Sequence, residues 1–217
     1  MEKVTSTDTT KTRALLACGI VAGPLFIVVG VIQMFTREGF DIRRHALSLL
    51  STGDLGWIQA VSFLITGVLL VAGAVGVKQV LQSGRGRTWG PLLLGLFGLC
   101  WFGAGIFRAD PARGFPPGTP DIATFSWHGI LHYSIAGIGI LCFTAACFVF
   151  ARRFNSLGER GWSSYSLLTG ILVFATFAGV TSGAKGPFSL YFFLGASFGL
   201  VWVSAVSTQL MKGQNGI

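Results

Sequence analysis

The chain has 217 residues, 52% of them hydrophobic and 11% charged, with mean hydropathy +0.68; charged residues normally make up about a quarter of a soluble domain. The 16 basic and 8 acidic residues fall into clusters separated by six charge-free stretches, 14–36, 55–77, 88–107, 122–151, 161–184 and 186–211. Each is as long as the ~20 residues a helix needs to cross the hydrocarbon layer. This excludes a soluble enzyme, a disordered chain and a secreted disulfide scaffold. The net charge of +8 is an orientation signal rather than a sign of nucleic-acid binding. Six crossings place Lys3, Lys11, Arg13, Lys78, Arg85, Arg87, Arg152, Arg153, Arg160 and Lys212 on one side, and Arg37, Arg43, Arg44, Arg108, Arg113 and Lys185 on the other. The larger basic set is expected in the cytoplasm, with both termini.

In chain order, residues 1–12 read as a polar cytoplasmic tail and 13–211 as one six-span transmembrane domain. Spans are expected at about 13–35, 57–77, 89–107, 126–151, 162–183 and 188–211, followed by a cytoplasmic tail at 212–217. The fold class is therefore all-α, a polytopic six-helix bundle with two long extracytoplasmic loops. Pro24 is tolerable inside span one because neighbouring helices can satisfy the freed carbonyl. In the first outer loop, Asp41, Arg44, Ser48 and Ser51 recur at three- and four-residue spacing, with Ile42, Ala46, Leu49 and Leu50 on other faces; this predicts a short amphipathic helix. The second outer loop carries Pro111, Pro116, Pro117 and Pro120, which deny it regular helix, and Ser126 is placed to cap span four. The turn centred on 185–187 makes spans five and six antiparallel neighbours. Small residues four apart, Gly19 with Gly23, Ala72 with Gly76, Gly179 with Gly183 and Gly195 with Gly199, predict close helix contacts within one bundle. A homo-oligomer face is the other use of such pairs. Cys18, Cys100, Cys142 and Cys147 all lie in apolar stretches and are expected to act as small apolar residues without a structural disulfide.

Groups capable of chemistry gather on the outer side. His45 lies in the first outer loop, while His128 and His132 open span four as H-x-x-x-H, with Asp54 before span two and Asp110 after span three. Two imidazoles one helical turn apart can hold zinc if Asp110 or His45 supplies a third ligand. Alternatively Arg43, Arg44 and Arg108 bind a phosphate or carboxylate, with Asp110 or Asp54 orienting them. Ser48 is a nucleophile candidate without a G-x-S-x-G elbow. The spans hold no Asp, Glu, Lys or Arg at depth, and ion-coupled carriers and pumps generally need such charges.

The ordered set Arg44-His45-Ala46-Leu47-Ser48-Leu49-Leu50-Ser51 with Gly53 and Trp57, then Gly105-Ile106-Phe107-Arg108-Ala109-Asp110, then His128-Gly129-Ile130-Leu131-His132 resembles a prokaryotic family of six-span membrane proteins catalogued as a domain of unknown function. That resemblance implies a prokaryotic cell-membrane location and no particular activity. A fainter likeness is to the membrane hydrolases that include alkaline ceramidases. It implies zinc on His128, His132 and Asp110, with Ser48 assisting a polarised carbonyl. The leading functional expectation is an outer-face pocket for a lipid headgroup or small polar ligand, with membrane lipids as partners and no nucleic acid. The alternatives are a zinc-dependent lipid hydrolase using the same residues and an accessory subunit recognised by a membrane-protein partner.

Overall fold

The computed structural model describes residues 6–121, 124–183 and 186–213; Lys185, at the expected turn between the last two spans, lies outside them. Six helices account for the described chain: α1 Ser6–Thr36, α2 Gly56–Val80, α3 Trp89–Ile106, α4 Trp127–Ser156, α5 Arg160–Thr181 and α6 Phe188–Gly213. All six are long and apolar enough to cross a membrane. They fall on the six charge-free stretches because, in lipid, a chain segment must satisfy its own backbone groups and only a helix does so within one segment. The protein is a multi-pass membrane protein. α1 begins at Ser6, seven residues before the expected start of span one. A helix can run on into water, and Thr12 Oγ1 fastens this extension by donating to Gln79 Oε1 at 2.7 Å.

The helices form a closed ring. Each packs on its chain neighbours, and α1 packs on α6 to complete the circuit. Inside lie Leu16, Phe97, Phe143, Phe150, Trp202 and Val206, so the centre is a packed core. The outward surface is also apolar, as Val28, Ile32, Leu99, Ile138 and Leu168 show by their exposure, which suits lipid.

Glycine lets the ring close. A Cβ on Gly73 would lie 2.7 Å from Gly19 Cα, and one on Gly23 would lie 2.9 Å from the Leu200 carbonyl oxygen. Gly76, Gly179, Gly195 and Gly199 likewise abut Leu16, Phe188, Thr176 and Phe143 of this same chain. Close backbone approach of this kind replaces the hydrophobic driving force that lipid removes. Gly183 departs from the expectation: it lies beyond α5 with φ +71° and nothing within 4 Å of a Cβ, so it serves a turn rather than a helix contact.

The first outer loop corrects the expected amphipathic helix. Only Leu47–Ser51 is helical, as a single 3-10 turn. Before it, the Asp41 carboxylate accepts the Arg43 N–H at 2.9 Å, a side-chain turn that competes with helix. The supposed polar stripe is broken too, since Ser51 is buried with Leu49 and Leu50. In the second outer loop, an isolated bridge joins Ala112 to Phe115, and Phe115 is fully buried. Leu49, Leu50, Ala109, Ala112 and Phe115 form a second small core. The two loops are thus one folded cap over the end of the bundle opposite the termini.

Candidate functional site: the cap and the start of the fourth helix

Arg37, just past α1, holds the first loop in shape. Its guanidinium donates to the carbonyls of Leu50 (3.0 Å) and Thr52 (2.7 Å) and sits 5.4 Å from the Phe115 ring centroid. Burial lowers its pKa, and nearby Asp54 opposes this. Asp54 therefore acts on a structural arginine, a role the sequence reading did not assign it.

His45 joins the loops. The Asp41 N–H donates to Nδ1 at 2.9 Å, which leaves Nε2 as the protonated nitrogen, 3.0 Å from the Arg113 carbonyl oxygen. A neutral imidazole has one donor and one acceptor, and both are used. Phe40 and Phe115 flank the ring. The contact continues through Arg113 Nη1, which donates to the Arg44 carbonyl at 3.3 Å, and Ser189 Oγ of α6 donates to the same oxygen.

His132, on α4, is 2% exposed. Its Nδ1 lies 2.7 Å from the Phe107 carbonyl oxygen and 3.1 Å from that of Ala104. These carbonyls belong to the last turn of α3, where the helix has no N–H left to offer them. Asp110 performs the reciprocal service at the start of α4: it accepts the Ser126 N–H at 2.7 Å and the Ser126 hydroxyl at 2.6 Å. Ser126 in turn accepts from the Gly129 N–H at 3.2 Å, the expected cap. A carboxylate at a helix N-terminus is also favoured by the dipole. Gly129 is required there, because a Cβ would collide with the Asp110 carboxylate. His128 lies outside this clasp, exposed and stacked on Trp127 with centroids 3.5 Å apart.

The expected zinc site does not assemble. Among the described residues, no three His, Cys, Asp or Glu side chains come together to hold a metal. His45 spends both nitrogens on backbone, His132 gives Nδ1 to α3, and Asp110 holds Ser126. The residues do not fit the metal. Ser48 is half-buried in the 3-10 turn, and its carbonyl accepts from Ser51 Oγ. Among the described residues Asp110 forms no ion pair with an arginine and instead holds Ser126.

The arginines stand on the cap surface. Arg43 pairs with Asp41 at 3.3 Å, whose carboxyl is held below its usual range first by the Arg43 N–H and then by the Arg43 side chain. Arg44 pairs with Asp121 at 3.3 Å, both largely exposed. Arg113, which the sequence reading passed over, is exposed beside Arg44. Its signal was the aromatic Phe115 set between Gly114 and Pro116, unusual for a solvent loop and explained by burial. Arg108 is exposed.

The family described as "Protein of unknown function (DUF998)" matches residues 20–209. The chain belongs to the DUF998 family. No curated protein and no solved structure matches it. In this DUF998 chain, the segments 44–57, 105–110 and 128–132 are the parts that weld the cap and join α3 to α4.

Proposed function

We propose that this DUF998 protein is a non-catalytic membrane protein whose cap recognises an anionic group, the phosphate or carboxylate of a lipid headgroup, through Arg43, Arg44, Arg108 and Arg113. One observation carries the reading: His45, His132 and Asp110 are spent on holding backbone, while the cap arginines point their charge to the surface. A guanidinium presents a fork of donors that matches phosphate or carboxylate. The cap beneath is fastened by Arg37, His45 and a buried core, so the arginines sit on a prepared support. The smaller basic count of the cap side supports placing it outside the cytoplasm.

Calorimetric titration of the purified chain with glycerol 3-phosphate, a soluble headgroup, tests the reading. Saturable binding is expected, weakened about tenfold in Arg44→Ala and in Arg108→Ala, the scale of one charge-assisted hydrogen bond. Absence of saturable binding, or wild-type affinity in both variants, would overturn it.

A further inference from the structure

At the opposite end of the molecule, the connection between α2 and α3 folds back onto α4. Gly84 (φ +80°) and Gly86 (φ +79°) supply its left-handed turns. Arg153 then pins it, Nη1 donating to the carbonyls of Ser83 (3.0 Å) and Arg85 (2.9 Å). The packing is close: a Cβ on Gly86 would lie 3.0 Å from Val149 Cγ1. This brings Arg85 beside Arg152 of α4.

Two clefts meet there. One of about 550 Å³ is lined by Arg85, Gly86, Trp89, Val149 and Arg152. Its neighbour of about 420 Å³ shares Val149 and Arg152 and extends between α4 and α5 along Phe148 and Leu167. Both are open grooves on the surface rather than enclosed cavities. Arg85 and Arg152 are exposed, and neither side chain forms an ion pair or hydrogen bond among the described residues, whereas Glu159 acts on Arg153. Trp89, 62% exposed, marks the level of the membrane interface.

We propose that this groove is a site for an anionic phospholipid of the leaflet on the termini side. Its phosphate lies between the Arg85 and Arg152 guanidiniums and one acyl chain runs along Phe148 and Leu167. The shape of the groove carries the assignment, because a cationic rim above an apolar wall is complementary to an acidic headgroup above its chain. Basic pockets between spans recognise anionic headgroups in this way. The site is separate from the cap and does not depend on it.

The test is native mass spectrometry of the full chain released from nanodiscs containing phosphatidylglycerol and phosphatidylcholine in equal amounts. The wild type is expected to retain phosphatidylglycerol about thirtyfold over phosphatidylcholine, the scale of two interfacial arginines at about 1 kcal/mol each. The double variant Arg85→Gln/Arg152→Gln is expected to lose most of that preference. Arg85→Gln alone, a change on an exposed loop that spares the fold, is expected to fall between them. Arg160→Gln, an exposed charge on the same face that does not line the groove, is expected to match the wild type. Equal retention of the two lipids by the wild type, no loss in Arg85→Gln, or an equal loss in Arg160→Gln overturns the proposal; the last would show diffuse attraction by surface charge.

Discussion

His45 shows how a residue with catalytic potential becomes structural. It is 3% exposed, and each nitrogen meets a backbone group of a different loop. Truncation strands the Asp41 N–H and the Arg113 carbonyl and opens space beside Phe115. Leaving a buried polar group unpaired costs about 1–3 kcal/mol, so His45→Ala is expected to lower stability by about that much. Trypsin reports the effect locally, since cap opening exposes the bonds after Arg108 and Arg113. Unchanged tryptic protection and an unchanged melting curve would remove His45 from the cap's support. The Asp41 turn adds a smaller, pH-dependent contribution. Its carboxyl is depressed by the Arg43 bonds, so the contribution is full above the ordinary carboxylate range and fades as pH falls through that range toward the depressed folded value.

The junction of α3 and α4 is a reciprocal clasp: a residue of α4 serves the end of α3, and a residue after α3 serves the start of α4. Spacing alone set His128 and His132 on one helical face, and four residues at 3.6 per turn do keep them close in angle. What separates them is the end of α3, which covers His132 and leaves His128 outside. No pattern along α4 records where a neighbouring helix stops. Ser126 was legible as a cap because that interaction is local, whereas the partner it receives, Asp110, is 16 residues away. Gly129→Ala is expected to destabilise by about 1–2 kcal/mol, the scale of losing a helix cap, because its Cβ displaces the Asp110 carboxylate. Gly161→Ala, at a helical position where a Cβ meets nothing within 4 Å, is expected to stabilise by up to about 1 kcal/mol. Equal melting temperatures for the two variants would show that the clasp carries no stability.

Across the whole molecule, the ring and its cap explain why the described His and Asp side chains do not converge on a metal. The ring interior is filled by aromatic and aliphatic side chains, and the cap has its own core, so the polar groups between them are drawn into joining the two. Chelation is therefore expected to leave the melting temperature unchanged within about 1 °C, since a ligand that binds only the folded state raises stability and its removal lowers it. A drop of several degrees on chelation, restored by zinc, would contradict this account. The same architecture divides the cations: Arg37 and Arg153 fasten loops, while Arg44, Arg113, Arg85 and Arg152 remain at the two interfaces.

The sequence by itself determined the six spans, their approximate ends and the gathering of polar residues in two loops. Those follow from hydrocarbon thickness and the absence of charge, which are properties of each segment alone. Tertiary structure decided the closure of the ring through α1 and α6, the folding of the two outer loops into a cap, and the duties of His45, Asp110 and His132. Each of those depends on which backbone groups of a distant segment are left without partners, and a one-dimensional pattern of residue types does not contain that.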